Sequence, residues 1–259
     1  MEINKDTYFS AEANKEFMSN SQFKDFAKCE ACAMATLNGD YENPVTTALL
    51  VGAYVDAYFE GTFDTFKENH LEILKRDGSL KADYIKAEYI IERVKRDELF
   101  MKYLSGEKQV IMTGKIGDVP VKIKIDSYHK GRAIVDLKVI KDFQPIWDDN
   151  IKGKVPFVEY WGYDIQGAIY QEIVYQNTGF KLPFFVAAVT KESEPDICIM
   201  NVPQERLDLC MDIVKAMIPR FQAVKQGTEN PSRCEKCDYC KQTKVLDRII
   251  DYRDLEVKS

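Results

Sequence analysis

Up to about residue 104 the apolar positions of this 259-residue chain follow a helical period. Ser19 or Asn20 can cap a helix running towards Leu37, with Phe23, Phe26, Cys29 or Ala33 on one stripe and Asn38-Gly39 as its stop. A second helix is predicted from Thr46 to Phe59. A third spans Ala82 to Leu104, where Tyr84, Ala87, Ile91 and Val94 recur at helical spacing opposite a face of mixed charge.

The period then shortens to two. Lys108 to Ile116 is β-rich, Gly117-Asp118 makes a turn, and Val119, Val121, Ile123 and Ile125 alternate with Lys122, Lys124 and Asp126. A short loop over residues 127–131 leads into a run where Val135, Leu137 and Val139 alternate with Ile134, Asp136 and Lys138. These runs predict a three-stranded antiparallel meander. A helix from Phe157 to Asn177 ends at Gly179. Two strand-like runs follow over 183–190 and 196–202, then a helix from Pro203 to Gln226, closed by Gly227 and Pro231. The order predicts an α/β fold: one domain over residues 1–259, with a central mixed sheet, a helical part over 19–104, a core over 107–202, and a C-terminal helix and cysteine loop over 203–250.

Composition narrows the class. The chain is 45% hydrophobic and 30% charged, values that exclude a disordered segment or a coiled-coil rod. The longest apolar run, Thr46 to Phe59, is broken by Gly52 and Asp56, so no membrane span is predicted. The N-terminal stretch lacks the apolar core of a secretion signal, and a cytoplasmic location is the expectation.

Residues two apart on a strand share a face, so Asp136 and Lys138 point the same way, and Asp126 falls near the same end of the sheet. Two carboxylates and an ammonium therefore converge. Hard oxygen donors suit Mg2+ or Mn2+, with phosphate oxygens completing the shell. An exposed cross-strand salt bridge is the bland alternative.

Asp126, then Asp136-Leu137-Lys138, then a helix carrying Gln166-Gly167-Ala168-Ile169-Tyr170, resembles the PD-(D/E)XK nuclease core with its Q-x3-Y helix. Upstream, Gly52-Ala53-Tyr54-Val55-Asp56 is similar to the G-x3-H helix motif of the RecB-like exonuclease branch. The likeness is nearest to phage RecE-type (exodeoxyribonuclease VIII-like) proteins, over residues 19–250. The chain departs from the pattern at Ile125, where a proline is usual, and at Asp56, where a histidine is usual. An aspartate still offers oxygen to a metal, and Glu60, one turn on, can add another ligand. The resemblance implies a restriction-endonuclease-like domain in which Asp56, Asp126, Asp136 and the Leu137 backbone carbonyl hold Mg2+ or Mn2+. It further implies that Lys138 positions water, while Gln166 and Tyr170 orient Lys138 and the scissile phosphate. The implied activity is metal-dependent DNA exonuclease action, resecting duplex DNA in phage-type recombination beside a single-strand annealing protein, as a homo-oligomer. A catalytically idle module that binds nucleic acid or a protein is the alternative, motivated by the residue at 56. His129 is read as a loop residue.

Seven cysteines are an odd number for a disulfide framework. Cys234, Cys237 and Cys240 form C-x2-C-x2-C, three thiolates that need a fourth from Cys29 or Cys32, with Cys29 preferred for its place on the apolar stripe. The arrangement resembles the iron–sulfur branch of the same superfamily, which implies a 4Fe-4S cluster; a four-cysteine Zn2+ site is the alternative. Cys198 and Cys210 are expected as small buried hydrophobes.

The net charge of −6 at first argues against nucleic acid. It is unevenly spread, however. Residues 107–141 and 215–248 each carry +4, against −8 over residues 1–72. Acidic scaffold around a basic DNA path is the resulting expectation, provided the two basic segments adjoin.

Overall fold

The computed structural model describes residues 2–246 and 248–253. Met1 and residues 254–259, at the ends of the expected domain, and Asp247, within the second basic segment, lie outside the described residues.

The chain opens with α1 (Ala11–Glu16), α2 (Asn20–Lys28), α3 (Glu30–Asn38), α4 (Thr47–Glu60), α5 (Phe63–Asn69), a 3-10 turn (Leu71–Ile73), α6 (Ala82–Lys95) and α7 (Glu98–Leu104). Strands β1 (Glu107–Ile116), β2 (Val119–His129) and β3 (Ala133–Ile140) form the antiparallel meander that the alternation predicts. A small hairpin, β4 (Ile146–Asp148) and β5 (Gly153–Val155), precedes α8 (Phe157–Tyr160) and α9 (Tyr163–Thr178). Strands β6 (Phe184–Thr190) and β7 (Ile197–Asn201), then α10 (Gln204–Lys225) and α11 (Asp238–Gln242), complete the order.

The sheet runs β1-β2-β3-β6-β7, with β3 parallel to β6 and the other neighbours antiparallel. A parallel neighbour requires a crossover, which α8 and α9 provide. The fold is therefore mixed α/β, as the element order predicts. Apolar residues of α2, α9 and α10 cover one face together with Ile123, Ile125, Ile134 and Phe184. The other face packs Val135, Leu137, Ala187 and Val189 against α4, α6 and α7. Each fully buried Ile, Leu or Phe contributes about 1.5–3 kcal/mol relative to an exposed one, so two such faces hold the sheet rigidly between helical layers.

Three predicted helices are each two. The first breaks at Cys29, whose extended backbone (φ −166°, ψ 107°) ends α2 and starts α3. The third breaks at Asp97, whose side chain caps α7 by accepting from the Phe100 amide at 2.8 Å. The helix expected over 157–177 breaks at Gly162, held left-handed at φ 61°. Apolar periodicity runs through all three positions, which is why spacing alone joined the pieces. The short α1, α5 and α11 and the β4–β5 hairpin carry too few periodic positions to stand out in sequence.

Helix α9 lies close on the sheet because residue 167 has no side chain. A Cβ there would sit 2.6 Å from Phe184 Cδ1 and 2.9 Å from Leu207 Cδ2, both atoms of buried side chains. Gly167→Ala is therefore expected to destabilise the protein by about 1–3 kcal/mol through overpacking, read from urea unfolding midpoints. An unchanged midpoint would show that the α9–β6 seam is loose.

Candidate active site

Strand β3 is central, and its even-numbered residues point away from Val135 and Leu137, which are buried against α4, α6 and α7. Asp136 and Lys138 accordingly face α9. Asp136 is 2% exposed; its Oδ2 is ion-paired with Lys138 Nζ, and its Oδ1 accepts from Gln166 Nε2 of α9 at 2.6 Å. Strand β2 pairs with β3 from His129↔Ala133 to Ser127↔Val135. One residue beyond the last pair, Asp126 Oδ2 accepts from the Leu137 amide at 3.1 Å. Asp126 therefore turns back to the same strand segment that carries Asp136 and Lys138.

Helix α4 supplies Asp56 and Glu60 from its last turns. Thr46 caps it, accepting from the Leu49 amide at 3.3 Å, and Gly61 ends it in the left-handed conformation. Asp56 Oδ1 is shielded from water and has no hydrogen-bond partner among the described residues. Asp56, Glu60, Asp126 and Leu137 line one small cavity together with Lys108.

Charge is undercompensated there. Burial first, then Glu60 and Asp136, push the Asp56 carboxyl up to about 7, against the pull of Lys138. Burial and Asp136 likewise hold Asp126 well above the ordinary carboxylate range. Burial alone would lower Lys138, but Asp136 and Asp126 outweigh it and raise its ammonium. The two ammoniums of Lys138 and Lys108 do not neutralise the four carboxylates of Asp56, Glu60, Asp126 and Asp136, and Asp56 Oδ1 has no hydrogen-bond partner among the described residues. A hard divalent cation fits this donor set, with Asp56, Asp126, Asp136 and the Leu137 carbonyl as its candidate holders.

The expected partners of Gln166 and Tyr170 differ from those they make. Residues i and i+4 on α9 lie one turn apart, so they reach different strands. Gln166 bonds Asp136, whereas the Tyr170 hydroxyl donates to the Lys124 carbonyl of β2 at 3.0 Å. Periodicity shows that they share a face, and only the packing of α9 shows what each meets.

The cysteine loop forms a second centre. Sulfurs of Cys29, Cys234, Cys237 and Cys240 all lie within 4.8 Å of one another. Cys29 Sγ is 3.6 Å and Cys234 Sγ 3.9 Å from Cys240 Sγ. Cys32 packs beside this set without joining it. Amides of Lys236 and Cys237 donate to Cys234 Sγ at 3.5 and 3.3 Å, and these bonds outweigh desolvation to lower its thiol to about 6. Burial pushes the thiols of Cys29, Cys237 and Cys240 the other way, up from the ordinary range. Four sulfurs gathered at one point are a donor set that suits a soft or borderline metal, and a lone tetrahedral ion with bonds of about 2.3 Å would hold its sulfurs about 3.8 Å apart. A four-iron cluster binds each thiolate to a different iron and spreads them farther. The loop is also held without metal: Glu30 of α3 takes Arg220 at 3.0 and 2.9 Å and the Ser232 amide at 2.7 Å.

The sequence profile of a family described as "PDDEXK-like domain of unknown function (DUF3799)" matches residues 19–243. The chain belongs to that family. A crystal structure described as "Putative exonuclease" from Eubacterium rectale is 52% identical, superposes with a TM-score of 0.94, and is matched over 98% of each chain. Among curated proteins none matches. The family match bears out the superfamily that the D-x9-D-x-K and Q-x3-Y spacing resembles.

Two residues that the motif spacing does not mark, Lys108 and Gln109, also meet the carboxylates. Gln109 sits in β1 at φ 55°, and the β1–β2 ladder skips it between Lys108↔Ser127 and Val110↔Ile125. Its buried Nε2 donates to Glu60 Oε1 at 2.7 Å and to Asp126 Oδ1 at 3.4 Å, tying α4 to β2 across the carboxylates. A non-glycine residue held left-handed inside a strand is costly, and no sequence signal marks it.

The two basic segments adjoin, but part of their charge is spent inside. Lys122 is 1% exposed and reaches the Tyr8 carbonyl and Asn14 Oδ1, while Lys225 reaches the Phe17 carbonyl and Gln22 Oε1 at 2.7 and 2.9 Å. Arg220 and Arg233 are paired with acids of their own surroundings. Lys122 and Lys225 thus hold the N-terminal segment, Arg220 and Arg233 hold the cysteine loop, and the expected basic path is narrower than the count of charges implied. Among the described residues no helix is long and apolar enough to cross a membrane.

The raised Asp56 carboxyl sets a pH dependence. The folded protein keeps this proton up to about 7, whereas the unfolded chain releases it near pH ~4. Stability contributed by protonated Asp56 is thus full below that lower value and is lost as pH rises through the folded one. In EDTA, the melting temperature of Asp56→Asn relative to wild type is expected to climb between those pH values. Added Mg2+ is expected to raise the wild-type melting temperature more at alkaline than at acid pH. A difference between the two proteins that stays flat with pH would remove the charge-crowding account.

Proposed function

We propose that this chain is a divalent-metal-dependent DNA exonuclease of the PD-(D/E)XK type, a single nuclease-like domain that hydrolyses phosphodiester bonds. The observation that carries the reading is the convergence of Asp56, Asp126, Asp136 and Lys138 on one edge of β3, with Gln166 fixed to Asp136, in a chain of the PDDEXK-like family. The Eubacterium rectale relative described as "Putative exonuclease" supports the same assignment. Bound Mg2+ or Mn2+ would polarise a phosphate oxygen and acidify a water. Asp56, Asp126, Asp136 and the Leu137 carbonyl hold it in this reading. Lys138, kept protonated by Asp136 and Asp126, places a positive charge where phosphate charge develops and orients the attacking water. Gln166 holds Asp136, Gln109 holds Asp126 against Glu60, and Tyr170 braces β2 at Lys124.

The RecE-type likeness extends the proposal: double-stranded DNA is the substrate, the setting is phage-type recombination, and a single-strand annealing protein and further copies of the chain are partners. With Mg2+ or Mn2+, wild type is expected to degrade linear duplex DNA and spare closed circles. Asp136→Ala and Lys138→Ala are each expected to cost about 100-fold or more. Equal activity in wild type and both variants would sink the enzyme reading and favour an idle binding module.

At the cysteines, the motif order supports a 4Fe-4S cluster, while the close sulfur spacing favours a single Zn2+ ion. We place the single ion first, as a clamp between the start of α3 and the loop before α11. Anaerobic purification is expected to yield a colourless protein with one zinc per chain. A brown protein with broad visible absorption and four irons would reverse the choice.

A further inference from the structure

A groove of about 670 Å3 opens beside the carboxylates, between the start of α4, the segment after β3, and residues 160–163. Its volume lies in the range of ligand-sized clefts. Two of its lining residues touch the site's electrostatics directly. The Tyr163 ring centroid is 5.0 Å from Lys138 Nζ and 5.6 Å from Lys24 Nζ, and Lys191 is placed where the Asp56 charge acts on it. Lys191 Nζ is fixed on the Ala48 carbonyl at 2.8 Å, and Lys141, almost fully exposed, lies 3.5 Å from Oδ2 of Asp142, which lines the groove too.

Tyr160 and Trp161 form the opposite wall. They are 39% and 49% exposed and meet edge to face, with centroids 4.9 Å apart. The left-handed Gly162 ends α8 at this point, so the pair is not carried into α9 and onto the sheet. Lys24 Nζ further holds the turn by its bond to the Trp161 carbonyl at 3.2 Å. Two large, half-exposed aromatic side chains thus line the same groove as Tyr163, the ring beside Lys138.

Resting on the exonuclease reading, we propose that this groove is a nucleobase subsite. It takes the unpaired terminal nucleotides of the DNA strand whose phosphate reaches Lys138. Trp161 and Tyr160 stack on the bases, and Lys141 and Lys191 accompany the phosphates. Aromatic faces combined with a cationic edge are the chemistry of a single strand; a path reading phosphates alone has no use for them. The substrate class is therefore a frayed or single-stranded DNA end.

The two tryptophans are Trp147 and Trp161, so in a Trp147→Phe background Trp161 alone reports. The cleavage-deficient Lys138→Ala protein in that background is titrated in Mg2+ with a fluorescent oligodeoxythymidylate of about 12 nucleotides, and with the same strand made abasic over its terminal nucleotides. The intact strand is expected to quench Trp161, and the abasic strand to bind about tenfold more weakly. Trp161→Ala should lose a similar factor on the intact strand and show no further loss on the abasic one, with Trp161→Phe restoring most of the affinity. Equal binding of the two strands, or no quenching, overturns the subsite. These readouts do not need cleavage, so they stand apart from failure of the nuclease assay. Conversely, an active nuclease whose Trp161→Ala variant binds and cleaves as wild type does would leave the exonuclease reading intact and remove the subsite.

Discussion

The arrangement depends on burying one lysine among carboxylates that would repel one another without it. Lys138 and Asp136 sit two residues apart on a central strand, and removing either would leave uncompensated charge in a site of low polarity. Everything around them serves that constraint. Gln166 occupies the other oxygen of Asp136, the Leu137 amide holds Asp126, and Gln109 spans Asp126 and Glu60. Positive charge is still short there, the condition under which carboxylate oxygens suit a divalent cation.

Such a site needs a stiff frame. Strand β3 obtains it by lying between β2 and β6 with helices on both faces, so side chains of alternate residues are locked either in apolar packing or in the site. The close seat of α9, permitted by Gly167 against Phe184, brings Gln166 within reach of Asp136. The Q-x3-Y spacing thus joins two jobs on one helix face: Gln166 serves β3, and Tyr170 serves β2. At the far end, Glu30, which accepts from Arg220 and from the Ser232 amide, fastens the start of α3 to the loop where four sulfurs gather.

Much of this was legible in the sequence, because alternation and helical spacing are local properties. The meander, the mixed α/β class, the D-x9-D-x-K cluster and the choice of Cys29 as the fourth thiol all followed from residues near one another on a strand, or on one stripe of a helix. Helix breaks at Cys29, Asp97 and Gly162 did not, since apolar spacing continues across them and only backbone geometry interrupts it. Net charge was the least informative quantity. Lys122 and Lys225 count as basic surface in sequence, yet both end on backbone carbonyls inside the fold.

The sequence by itself therefore determined which side chains share a face and what chemistry they carry: two aspartates and a lysine on neighbouring strands, and three thiols at fixed spacing. The tertiary structure decided their partners. Gln109 entered the site because a left-handed residue interrupts the β1–β2 ladder opposite Asp126, and Tyr160 and Trp161 reached the groove because Gly162 turns the chain before α9. Neither outcome has a local signature, since each arises where two distant segments meet and the backbone gives way to fit them.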